Sequence, residues 1–131
     1  MNVKWIKSLF IFAALYEGLL GVAFLFFAQD IFSAFGVVPP NHLAYVEFPA
    51  LLLLIFAAMF VRIAYDPMKN RELILYGIGL KAAYCGTAFW YQATQGIPSM
   101  WIPWAWSDLA LLVLFALAWR SIRPLPSAQG F

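Results

Sequence analysis

Lys81 stands alone as a charge in the run Leu73 to Gln92, LILYGIGLKAAYCGTAFWYQ, which is otherwise apolar and long enough to cross a bilayer. At the helical rise its Cα lies roughly 12 Å in from Leu73, where an unpaired ammonium costs several kcal/mol. A lysine stem can carry its charge toward an interface, but at this depth a partner inside the protein is the better solution. Counting from Leu9 puts Glu17 about 12 Å along the first apolar run, level with Lys81. A Glu17–Lys81 contact would offset part of the desolvation of each charge, whether it only fixes two helices against each other or forms part of a site.

Two further acids lie nearer the opposite boundary. Glu47 is about four residues into the second apolar run and Asp108 about five residues past Pro103, so both are placed roughly 6–8 Å below that surface. If they share a cavity, repulsion and desolvation keep a proton on one of them; if each faces interfacial water, both stay ionised. Tyr16, Tyr45 and Tyr84 supply hydroxyl donors. Tyr84 and Cys85, three and four positions beyond Lys81, share its helix face. The set Glu17, Tyr45, Glu47, Lys81, Tyr84 and Asp108 therefore describes an outward-opening polar cavity, rimmed by Glu47 and Asp108 and floored by Lys81.

The remaining chemistry-bearing residues have plainer roles. Cys85 is the single cysteine, which excludes an internal disulfide and leaves no paired thiol or metal-ligand spacing; it reads as an inert small core residue. His42 has no second histidine and reads as a loop or capping residue, so no metal site and no cofactor is identified. Trp101, Trp104 and Trp106 read as an interfacial belt, the depth tryptophan prefers without any ligand.

The elements that must position these groups are four helices, at about 9–28, 43–63, 73–92 and 103–119. The segment Asp30 to His42, with Gly36 and the Pro39-Pro40-Asn41 turn, is expected to lie along the membrane surface. Pro49 either kinks the second helix or starts its regular part. Tyr65 to Arg71 makes a compact polar turn, Ala93 to Pro103 a loop with Gly96, Pro98 and Pro103, and the tail from Ser121 is expected to be poorly ordered. Ala14 and Gly18 on the first helix, and Ala82 and Gly86 on the third, form small-xxx-small pairs that point to direct contact between those two helices. The start MNVKWIKS resembles that of a signal peptide, but the apolar run is too long and lacks a small-x-small cleavage site, so it reads as a retained helix anchored by Lys4, Trp5 and Lys7.

Composition agrees. In 131 residues, 65% are hydrophobic and 11% charged, which leaves room for an all-α integral membrane four-helix bundle in a single domain and none for a water-soluble one. Lys4 and Lys7 precede the first helix, Arg62, Lys69 and Arg71 flank the second loop, and Arg120 and Arg123 follow the fourth helix. The first and third loops contain neither lysine nor arginine. This positive-inside pattern predicts both termini on the cytoplasmic side and makes nucleic acid an unsuitable partner. Four buried helices of a soluble bundle would not need such alternation.

With YEGLLG in the first span and GLKAAY in the third, the layout resembles the DoxX-like group of small bacterial membrane proteins over most of the chain. That resemblance implies a multi-pass protein of the bacterial cytoplasmic (inner) membrane. It also implies, for some members, association with quinone-linked sulfur oxidation or membrane redox assemblies. Cys85 alone provides no dithiol, and no catalytic residue carries over.

Three functions are compatible with these residues. The first is a binding or accessory subunit whose cavity holds a lipid-like, quinone-like or other small amphipathic ligand, or docks a partner within a larger membrane complex. The second is a proton-coupled transporter, which with so few helices would need a homo-oligomer to enclose a path. The third is an intramembrane acid–base enzyme, for which no nucleophile–base–orienter set is recognised. Membrane lipids are partners in every case.

Overall fold

The computed structural model describes residues 1–124, and these are all-helical, with no strand among them. Helices α1 (Val3–Phe26), α2 (Ala28–Ala34), α3 (Ala44–Tyr65), α4 (Leu73–Thr94) and α5 (Ile102–Ser121) follow in order, with a short 3₁₀ turn, Ser99–Trp101, leading into α5. Four segments are long and apolar enough to cross a membrane: Val3–Phe26, Ala44–Tyr65, Leu73–Thr94 and Ser99–Ser121. Their outward faces are also apolar, with Phe12, Leu19, Ile55 and Val113 exposed, as expected of helices that need no water-facing stripe.

Local chemistry sets the ends of these helices. The Asn2 side chain accepts a hydrogen bond from the Trp5 amide at 2.9 Å, so α1 starts six residues before the expected Leu9 and takes Lys4, Trp5 and Lys7 into its first turns. Its chain turns at Phe27 into α2, which ends at Gly36 with φ +64°. There Val37 N–H bonds back to Phe32 C=O and Gly36 N–H to Ser33 C=O, a Schellman closure that needs the left-handed conformation glycine tolerates. Helix α3 continues through Pro49 without interruption. His42 Nδ1 accepts the Ala44 amide, the capping role expected of it. Gly96, at φ +78°, closes α4 in the same left-handed conformation.

The helices associate as two antiparallel pairs, α1 with α3 and α4 with α5. The expected small-residue contact between the first and third spans is not the close seam. Gly18 faces Ala57, and a Cβ on Gly21 would come within 3.0 Å of the Ala50 carbonyl and the Leu54 side chain, so both glycines serve the α1–α3 contact. Gly86 has no neighbour within 4 Å of where its Cβ would lie. Two helix backbones brought close along α1 and α3 leave α1 and α4 to communicate through long side chains instead.

Ile6, Ile63, Ile74 and Ile122, one from near an end of each long helix, meet in a single buried cluster. That end of the bundle therefore gathers all the lysines and arginines except Lys81 and is called the basic end below. Here Arg71 lies 4.0 Å from the centre of the Trp119 ring and donates from Nε to the carbonyls of Trp119 and Ile122, tying the α3–α4 turn to the C-terminus of α5. Ile122 is buried, so the expected loose tail does not begin at Ser121. The rest of that expectation, residues 125–131, lies outside the described residues.

Candidate functional site

Each long helix buries one stripe, and three of these stripes carry a charge. On α1 the buried residues are Ile6, Phe10, Ala13, Glu17 and Gly21; on α4, Ile74, Gly77, Lys81, Cys85 and Ala88; on α5, Ala105, Asp108, Leu111, Phe115 and Ala118. The 3.6-residue repeat thus delivers Glu17, Lys81 and Asp108 to the interior as surely as their apolar neighbours. Lys81 is 0% exposed, Glu17 2% and Asp108 6%. Lys81 Nζ donates to Glu17 Oε1 and, at 3.0 Å, to Asp108 Oδ1, forming one buried cluster of two carboxylates and an ammonium. It also lies 4.8 Å from the centre of the Tyr16 ring.

The expected Glu17–Lys81 contact forms, although the two residues are not level. The pairing of Asp108 with Glu47 does not form: Asp108 binds Lys81, while Glu47 is exposed on the first turn of α3 and makes no salt bridge among the described residues. The reason is the face each acid presents and not its depth: counted from Ile63 and Ile122, Glu47 lies about 24 Å along α3 and Asp108 about 21 Å along α5, but Asp108 falls on the buried stripe of its helix and Glu47 does not. Tyr84 Oη donates to the Trp101 carbonyl at 2.9 Å, and Tyr84 lies ten residues before the end of α4, about 15 Å back along its axis. Within this connection Met100 is buried and Trp101 half-buried against the bundle while Gln95, Gly96, Pro98 and Ser99 stay exposed, and Ile102 begins α5 about 30 Å from Ile122, level with the ends of the other long helices. Measured from the isoleucine cluster, Asp108 is about 21 Å along its helix, Glu17 about 16 Å and Lys81 about 10 Å. The four-carbon lysine stem spans the difference and carries Nζ to the carboxylates.

Beyond this cluster, away from the basic end, the two helix pairs separate around a cavity of about 840 Å³. Its wall is largely apolar, built from residues such as Leu20, Phe24, Leu53, Phe56 and Ala83, and it reaches Val38, Pro40 and Pro98 in the connecting segments. Glu17, Asp108, Tyr16, Tyr45, Tyr84 and Thr87 are the polar residues in it. Tyr45 contributes from a mostly exposed position, at 69%. Neither Glu47 nor Lys81 belongs to the wall. The expected rim and floor are thus corrected: Glu47 points elsewhere, and Lys81 sits behind the two carboxylates that line the cavity.

Two tryptophans assigned to an interfacial belt also line this space. Trp104 and Trp101 stand four and seven residues before Asp108 and so share its helix face, the spacing that could have identified them; Trp106, off that face, is exposed. Trp101 lies between Phe24 and Phe32, with ring centres 5.8 and 6.0 Å away, and buried Met100 beside it packs on Ala28 and Phe32. Helix α2 thus packs one face, through Ala28 and Phe32, while Gln29, Asp30 and Ser33 stay exposed. Cys85 is buried, with Sγ 4.0 Å from the Ala82 carbonyl oxygen.

The arrangement can hold an amphipathic molecule by its apolar surface and orient it by contact with two carboxylates, each polar contact strengthened by the apolar wall around it. No protein-family model, curated protein or solved structure matches the chain.

Proposed function

We propose that the protein is a small multi-pass membrane protein of the bacterial cytoplasmic membrane that binds an amphipathic small molecule between its two helix pairs, as a binding or accessory subunit. Membership of the DoxX-like group and cytoplasmic termini belong to the same reading, the latter supported by the collection of basic residues at one end of the bundle. The observation that carries the proposal is the cavity of about 840 Å³, walled by apolar and aromatic side chains and ending on Glu17 and Asp108. Its size lies within the roughly 300–1,000 Å³ usual for small-molecule sites, and few convergent polar groups in an apolar wall are what such sites use to fix orientation.

Substituting Ala83→Trp places a large ring in the wall without touching the charged cluster. Protein purified in mild detergent, extracted with organic solvent and measured by mass spectrometry should release a small molecule in near-stoichiometric amount from the wild type and little from folded Ala83→Trp. Equal amounts from both, or none from the wild type, would contradict the reading.

Proton-coupled transport is a second reading, favoured by one specific observation: two carboxylates share one ammonium, so the buried cluster has a place for a further proton. It requires a substrate-dependent proton flux in proteoliposomes that Asp108→Asn abolishes.

A further inference from the structure

We infer that the ligand of this cavity carries a cationic head, a protonated or quaternary amine, on an apolar body; the inference rests on the binding reading above. A cavity floored by Lys81 would suit an anionic or hydrogen-bond-accepting head. The structure reverses that polarity, because Lys81 has no exposed surface and the charged groups in the wall are Glu17 and Asp108. Each carboxylate gives one oxygen to Lys81 Nζ. Of the second oxygens, Glu17 Oε2 makes no hydrogen bond within the described residues and is not among the fully enclosed polar atoms, while Asp108 Oδ2 makes none of good geometry, the enclosed Tyr16 hydroxyl lying beside that carboxylate. They are the acceptors the cavity offers.

Charge points the same way. Two carboxylates against one ammonium leave the cluster one positive charge short, and a low-dielectric interior makes an uncompensated charge expensive. A ligand's cation would supply the missing charge. Hard metal ions require six or more oxygen ligands or retained waters, whereas the described residues contain no group of three or more His, Cys, Asp and Glu placed to hold a metal. Aromatic faces beside the carboxylates suit an organic cation instead. Tyr16 and Trp104, both in the wall, meet edge to face with ring centres 6.2 Å apart, and the Tyr16 ring already accommodates one ammonium, that of Lys81. Farther along, Phe24 and Trp101 offer apolar surface for the rest of the molecule.

The test uses the full chain in nanodiscs of zwitterionic lipid and three probes of similar shape: benzyltrimethylammonium, its uncharged carbon isostere neopentylbenzene, and anionic benzenesulfonate. Equilibrium dialysis, with retention by empty discs subtracted, should show the cation held roughly tenfold more tightly than either other probe, and Asp108→Asn should weaken it by roughly tenfold. Retention of the neutral or anionic probe equal to that of the cation, lost on Ala83→Trp, would overturn the charge assignment while leaving the cavity as a binding site. Retention of none of the three would overturn both. Undiminished binding of the cation by folded Asp108→Asn would also overturn the assignment, and the wild-type comparison of probes decides it if that variant does not fold.

Discussion

The two halves of the bundle are made from the same helices and similar residues, yet one is filled and the other open. Toward the basic end, Phe10, Phe60 and Phe115 meet from three different helices with ring centres 4.7 to 5.9 Å apart, and no part of these side chains is exposed. Toward the other end the facing positions hold Pro49, Ala50, Ala83 and Thr87, too small to bridge the same gap, and the cavity results. Glu17 and Asp108 each lie seven residues from a phenylalanine of that layer, Phe10 and Phe115, and Lys81 lies four from Gly77, which faces Phe60 and Phe115. The charges therefore mark the boundary between the halves. Apolarity alone would not close such a bundle set in lipid; complementary volume across the helix pairs would, since lipid satisfies apolar surface as well as another helix can.

This contrast can be broken at its filled side. Phe60→Ala should destabilise the protein by about 2–4 kcal/mol in reversible unfolding from mixed micelles, below the range for a water-soluble core because burial from lipid carries little transfer energy and the cavity left behind dominates. A loss below about 0.5 kcal/mol would show that the ring layer does not hold the pairs together. A smaller effect is expected for Gly77→Ala, whose Cβ would come 2.8 Å from Phe60 Cε1, on a ring with no room to move. Overpacking of this kind should cost about 1–2 kcal/mol. Gly86→Ala, nine residues along the same helix in the open half and with no neighbour within 4 Å, should change stability by no more than about 0.5 kcal/mol. Equal costs at the two glycines would remove the distinction between the halves.

Much of this was legible in the sequence, and the failures have identifiable causes. Length and apolarity located the four helices long enough to cross a membrane, because both are properties of a contiguous segment. Glu17 and Lys81 could be matched since each is the lone charge near the middle of its run and the signs are opposite. The similar depth of Glu47 and Asp108 was legible too, but whether they share a cavity was not, because Asp108 falls on the buried stripe of α5 whereas Glu47 is exposed on α3. The reach of the lysine stem carries Nζ well away from its own Cα, so that Lys81 meets Asp108 as well as Glu17. Small-residue spacing on α4 proved uninformative, as it arises readily by chance, while Gly18 and Gly21 on α1 do mark a real seam, with α3. The cavity itself depends on which volumes face each other across two helix pairs, a relation no single helix encodes.

The central claim is that Asp108 belongs to Lys81 and not to Glu47. Double-mutant cycles measure this most directly, using Lys81→Met, Asp108→Asn and Glu47→Gln with unfolding free energy as the readout. Lys81→Met alone should cost about 3–5 kcal/mol by stranding two buried carboxylates, and Asp108→Asn in the same chain should recover part of it. The predicted coupling is about 1–3 kcal/mol between Lys81 and Asp108 and none between Glu47 and Asp108. A coupling between Glu47 and Asp108 with none between Asp108 and Lys81 would contradict the account.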